Sequence, residues 1–366
     1  MTGTTTAAGR AAPDESRAAA FEQRFTGTLN EGALCLMASI GHRTGLYDTM
    51  AGMEAATPAE IARAGVLHER YVREWLAAMT VAGVTEHDPG ADTYRLPAEH
   101  AAHVTRAASP GNLAVFAQYI GLLGAVEDDV VRCFREGGGV PYERYGRFHE
   151  VMAEDSGESV LPALLDDILP LVPGLAERLE QGIRVLDVGC GRGRALNLMA
   201  AAFPRSAFVG YDLSGDAIEY ARAEAAERGN ANVAFARYDV ARLDAEPETG
   251  AFGLVTTFDA VHDQADPLAV VRGIRRSLAP EGVYLAQDIK GSGHVHLDRD
   301  HPIGPLLYTL SCMHCMTVSL AQGGEGLGAM WGREQALALF REAGFGDVAV
   351  HELDHDVQNY YYVCRP

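Results

Sequence analysis

The sequence predicts an α/β protein in two parts: a mostly helical, winged-helix-like N-terminal domain, then an open, mainly parallel sheet with helices on both faces. Three observations carry that expectation. Helical periodicity over roughly the first hundred residues ends in a strand–turn–strand pattern. From Ile183 onward, strand-like and helix-like segments alternate, as in a doubly wound sheet. The first of those strands runs directly into the alternating glycines Gly189, Gly191 and Gly193.

A chain of 366 residues with 48% apolar and 22% charged residues is longer than one core usually supports. The expected division is residues 1–20 as a disordered tail, 21–105 as a winged-helix-like dimerisation domain, 106–180 as a helical linker and active-site roof, and 181–366 as the catalytic domain. The first twenty residues lack the charged-then-apolar layout of a secretory signal. No apolar run reaches the roughly 20 residues of a membrane span, and six cysteines scattered over the chain make no disulfide framework. The expectation is a soluble, cytoplasmic protein.

In the N-terminal part, Thr57-Pro58-Ala59-Glu60 reads as a capped helix start, and Val72, Trp75, Leu76 and Met79 recur at helical spacing. Residues 84–96, broken by Pro89-Gly90, read as a hairpin. A winged helix can place a helix in a DNA groove, and Arg70 and Arg73 are the candidates. Against that reading, residues 1–105 hold eight arginines and thirteen acidic residues, and the formal charge of the chain is -20. Phosphate recognition needs the opposite sign. The expectation is instead that helices at 34–50 and 70–82 bury apolar faces in a homodimer and that the substrate is a small molecule.

In the C-terminal part, strands are expected at 184–188, 207–211, 233–238, 254–258, 283–288, 348–353 and 358–364. The segment Val185-Leu186-Asp187-Val188-Gly189-Cys190-Gly191-Arg192-Gly193 is a strand entering a glycine turn and then a helix near Arg194. Such a turn brings backbone close to a ligand. A dinucleotide fingerprint would place glycine or alanine at the position of Arg194, which disfavours a nicotinamide cofactor. The second strand ends at Asp212, a candidate to accept from both hydroxyls of a ribose. The third ends at Asp239-Val240, where Asp239 could meet an adenine amino group or simply cap a helix.

A glycine-rich first loop with acidic second and third strand ends resembles the class I S-adenosylmethionine-dependent methyltransferases, over residues 183–366. That resemblance implies a Rossmann-like sheet of seven strands with the last antiparallel. It also implies S-adenosylmethionine held by Asp187, Gly189, Gly191 and Gly193 at the methionine end, Asp212 at the ribose, and Asp239 and Val240 at the adenine, with Phe258 beside them. The winged helix is similar to that of dimeric small-molecule methyltransferases. A winged-helix regulator that senses S-adenosylmethionine is the alternative from another class.

After the fourth strand comes Asp259-Ala260-Val261-His262-Asp263-Gln264, and ligand sites in open sheets gather at such carboxyl ends. His262 and Asp263 are the catalytic candidates. In the similar O-methyltransferases a histidine here is the general base for a phenol or alcohol. A second resemblance, to metal-dependent 2-oxo acid C-methyltransferases, implies that His262, Asp263 and His314 hold iron or another divalent transition metal, which would stabilise an enolate. The expectation favours that acceptor, with Arg144 or Arg147 receiving its carboxylate. His294, His296, His301 and the Cys312/Cys315 pair are further metal-ligand types without a complete ligand set.

Overall fold

The computed structural model describes residues 13–245 and 249–366, and the chain divides into two compact units, residues 1–108 with 112–120 and residues 109–111 with 121–366. The expected linker at 106–180 is not a separate body, because its first part packs with the N-terminal unit and its remainder with the sheet. Most of the expected disordered tail lies outside the described residues. Its last part is helical, for the helix Glu15–Thr44 starts there, capped by the Asp14 side chain accepting from the Arg17 N–H.

In the N-terminal unit the helix Pro58–Ala64 opens with a complete capping box between Thr57 and Glu60, as that tetrapeptide predicts. The helix Glu69–Val81 turns Val72, Trp75, Leu76 and Met79 inward. They form one core with Leu46, Tyr47, Met50 and Ile61. The short strands β1 (Glu86–Asp88) and β2 (Thr93–Arg95) pair antiparallel as the wing.

Val72, Trp75, Leu76 and Met79 of Glu69–Val81 are therefore spent inside their own unit, while Tyr71 and Val81 of the same helix are exposed. Apolar exposure also runs along Glu15–Thr44, where Phe21, Phe25, Leu29, Leu36 and Ile40 face outward. Arg70 and Arg73 pair with Glu74 and Glu69 one turn away on the same helix, which leaves that helix without the net positive face that DNA requires. The Trp75 ring is 2% exposed, packs edge-on against Tyr47 and donates its N–H to the Met37 carbonyl at 2.8 Å. Trp75→Ala should cost about 3–5 kcal/mol, read as an earlier first transition in denaturant unfolding of the full chain.

The second unit is built on seven strands: β3 (Arg184–Val188), β4 (Ala207–Asp212), β5 (Val233–Arg237), β6 (Phe252–Phe258), β7 (Leu278–Ile289), β8 (Asp347–His351) and β9 (Asn359–Arg365). Their spatial order is β5-β4-β3-β6-β7-β9-β8. The first five are mutually parallel, and β9 runs antiparallel between β7 and β8. Alternate residues serve opposite faces. Val185, Leu254 and Leu285 enter one core, while Leu186, Val255 and Tyr284 enter the other, as a sheet covered on both faces demands. The chain order reverses between β3 and β6, so their carboxyl ends frame the crevice where open sheets bind ligands. Among the described residues no single helix is long and apolar enough to cross a membrane.

Candidate active site

The glycine turn after β3 is shaped by two different requirements. Gly189 has φ +75°, and a Cβ there would lie 2.6 Å from the Ala260 side chain, so close packing of the β3 and β6 loops excludes any larger residue. Gly191 has φ +52° and nothing within 4 Å of where its Cβ would be; its bare backbone faces open space. The Gly191 N–H donates to Asp212 Oδ2 at 2.8 Å, and the Ser214 N–H donates to Asp212 Oδ1 at 2.8 Å. Asp212 thus ties the first loop to the second, and a carboxylate with about four acceptor sites keeps lone pairs for a ligand's hydroxyls.

Asp187, Gly189, Gly191, Gly193, Asp212, Asp239, Val240 and Phe258 all line one cavity of about 760 Å³ within the second unit. Asp187 accepts from Thr256 Oγ1 at 2.7 Å, and burial, against that hydrogen bond, pushes its carboxyl up to about 7. Asp239 caps the short helix Val240–Asp244 through Oδ1, which accepts from the Ala241 N–H at 3.1 Å. The capping role and a place on the cavity wall coexist in that residue.

The groups after β6 separate into two sets. His262 is 3% exposed and does not line the cavity. Its Nδ1 lies 2.8 Å from Asp288 Oδ1 at the end of β7, and its ring also reaches the Cys315 sulfur. Burial disfavours the imidazolium, but Asp288 and Cys315 outweigh it and hold His262 well above the ordinary histidine range. Asp263 does line the cavity, where its Oδ2 accepts from the Tyr142 hydroxyl. Burial raises its carboxyl to about 6, against the charge of His262 and the Tyr142 hydrogen bond.

The expected metal trio is not assembled. Among the described residues the group of donors within 4.8 Å of one another is Asp259, His262 and Asp288. His314 is stacked face to face on Phe148 at 3.6 Å with Tyr142 and Tyr145 edge-on. Burial, then His262 and His149, hold it well below the histidine range. Its place in the π-helical turn Ser311–Cys315 puts the ring in this aromatic stack, with both of its nitrogens buried and without a hydrogen-bond partner. Nor are the arginines placed as expected. Arg144 donates to Asp129 at 2.7 Å and is absent from the cavity wall, and Arg147, on the wall, pairs with Glu150. His294, His296, His301 and Cys312 do not line the cavity either.

Residues that sequence reasoning did not single out complete the site: Asp288, Asp259, Tyr142 and His149. The rule that found His262, function at the carboxyl end of a parallel strand, applies equally to Gln287-Asp288 at the end of β7. Tyr142 sits in the roof segment from which only the arginines were drawn.

Comparisons with known proteins agree with the two-part fold. Residues 32–106 match the model of the Rv2258c-like winged HTH domain, and residues 179–336 match that of a methyltransferase domain. A ubiquinone biosynthesis O-methyltransferase from Neisseria meningitidis serogroup C is 33% identical over 163 residues, which is 42% of this chain. The match spans 64% of that relative's length. Human N-acetylserotonin methyltransferase, solved with S-adenosylmethionine, superposes with TM-score 0.66 at 14% identity, covering 97% of this chain and 99% of that one. An O-methyltransferase family protein from Burkholderia thailandensis superposes with TM-score 0.65 at 16% identity, covering 97% and 98%.

Proposed function

We propose that this chain, a class I S-adenosylmethionine-dependent methyltransferase with an N-terminal winged-helix domain, methylates a hydroxyl of a small-molecule acceptor and uses Asp263 as the proton acceptor. The observation that carries the reading is the single cavity onto which Gly191, Asp212, Asp239 and Asp263 all open. S-adenosylmethionine would supply an electrophilic methyl group on a sulfonium. Asp212 and the Gly191 backbone hold its nucleoside end, and Asp187 stands toward the methionine end, where a cation suits a buried carboxylate.

Asp263 rather than His262 is the base for two reasons. It lies on the cavity wall, whereas His262 is turned onto Asp288 and Cys315. At neutral pH Asp263 is anionic, while a histidine held well above its usual range is already protonated and cannot accept. His262 is a positioning residue whose positive charge favours the Asp263 anion. The acceptor proton passes to Asp263, its oxygen attacks the methyl carbon, and the carbon–sulfur electron pair leaves with sulfur. Alignment of the two reactants in one cavity supplies the remainder.

A metal-bound 2-oxo acid is the weaker reading, because His262 is bonded to Asp288 and Asp263 to Tyr142, and its carboxylate-binding arginines are paired with Asp129 and Glu150. Protein dialysed against a chelator should retain its rate of methyl transfer to within about twofold, in contrast with the collapse expected where a metal carries the charge. Elemental analysis of wild type and His314→Ala should give the same metal content. Activity that needs a metal lost in that variant would restore the enolate mechanism. The exposed apolar stripe Phe21–Ile40 suits a homodimer, and a cytoplasmic enzyme is the setting we favour.

A further inference from the structure

The charge of the cavity wall is one-sided. Two glutamates and six aspartates line it against four arginines, and each arginine is committed. Arg147 pairs with Glu150, Arg192 lies over the Tyr220 ring at 4.3 Å, Arg194 donates to the Ala153 carbonyl at 2.5 Å, and Arg237 donates to the Leu213 carbonyl at 2.9 Å. His149, also on the wall, is held below the histidine range by burial and adds no positive charge at neutral pH. An anionic acceptor would meet a wall with twice as many acids as arginines, and those arginines are already directed at Glu150, the Tyr220 ring and two backbone carbonyls.

Of the acids, Asp187, Asp212 and Asp239 are assigned to the cofactor, and Asp263 already accepts from Tyr142. Asp259 is different. Its Oδ2 accepts from Gln287 Nε2 at 2.9 Å, while its Oδ1 is buried without a hydrogen-bond partner, as is Gln287 Oε1. Its φ of +51° is a conformation that favours glycine, held here directly after β6. Buried acceptors left without donors are rare in folded proteins, and residues held in such conformations cluster at active sites and ligand clamps. The rings of Tyr142, Tyr145, Phe148 and His149 line the same cavity, and aromatic faces attract cations.

We infer that the acceptor carries a protonated nitrogen, taken by the Asp259 carboxylate within this aromatic-walled cavity. The inference rests on the methyltransferase reading above and names the charge class of its acceptor. An ammonium group brings the N–H donors that Asp259 Oδ1 lacks, favours the anion of a carboxyl that burial otherwise pushes up to about 8, and leaves a flat body for the rings.

The test uses the full chain and three phenols of one frame: tyramine as cation, 4-ethylphenol as neutral analogue and 4-hydroxyphenylacetate as anion. S-adenosylhomocysteine is titrated first, and the phenols are then titrated by calorimetry into the loaded protein. Tyramine should bind at least about tenfold more tightly than 4-ethylphenol, and the anion most weakly. Asp259→Asn should remove that preference, whereas Asp216→Asn, at an exposed acid of the same wall, should keep it. Thermal melts of both variants establish that they fold.

Equal binding, the reverse order, no saturation by any of the three, or a preference that survives Asp259→Asn overturns the inference. So does one equivalent of divalent metal that is lost in Asp259→Asn, which would make Asp259 a metal ligand instead. A wild type that binds no S-adenosylhomocysteine overturns the methyltransferase reading itself. The charge series on the cofactor-free protein then decides the cation site separately.

Discussion

Asp212→Ala should weaken S-adenosylhomocysteine binding at least about a hundredfold, roughly 3 kcal/mol, measured by calorimetry on the folded variant. Its carboxylate accepts the Gly191 and Ser214 N–H groups, so the substitution loosens two loops together and removes the acceptor for the ribose hydroxyls. Hydrogen bonds to a charged group contribute about 1.5–3 kcal/mol each, and two or more act here at once. Asp212→Asn separates the parts. An amide retains one accepting oxygen, so it should recover some loop order but not the charge, and fall between wild type and alanine. Binding of the alanine variant within about threefold of wild type would remove Asp212 from the cofactor site.

Asp263→Asn should lower kcat by about 10²–10⁴-fold with a much smaller change in cofactor affinity. The pH dependence carries the sign. A base must be deprotonated, and the Asp263 carboxyl is raised by burial to about 6, so the wild-type rate should climb as pH rises through about 6 and level off above it. The asparagine variant should lose that limb. If His262 were the base, the limb would survive in Asp263→Asn and vanish in His262→Gln. If His262 acts through its charge, His262→Gln should shift the limb to higher pH, because its positive charge now favours the Asp263 anion, and should reduce the rate less than Asp263→Asn does.

The sheet was legible because its signals are local. Arg184–Val188 stands where the apolar run before Gly189 places it, and the Thr57 capping box needs only four neighbouring residues. The residues proposed for the cofactor were found by a related rule. A ligand bound at strand ends selects residues at fixed offsets from each strand, so Asp187, the three glycines, Asp212 and Asp239 could be picked one by one, and they meet on one wall.

The chemistry side was less legible, because there the partners come from distant parts of the chain. The choice between His262 and Asp263 depends on which way each side chain leaves the loop after β6. That direction is set by Asp288, 26 residues away, and by Tyr142, 121 residues away. His314 looked like a metal ligand by residue type, but a π-helical turn and the Phe148 ring fix its actual surroundings. The apolar face of Glu69–Val81 was visible in its periodicity; whether it met a second chain or its own core was not. The sequence by itself determined the order of elements, the sheet and the strand-end residues that share one cavity wall, since periodicity and strand-end motifs are properties of contiguous chain. Tertiary structure alone decided which buried group faces the cavity, which carboxylate is left without a donor, and which arginines are already paired, since each depends on contacts between residues far apart in sequence.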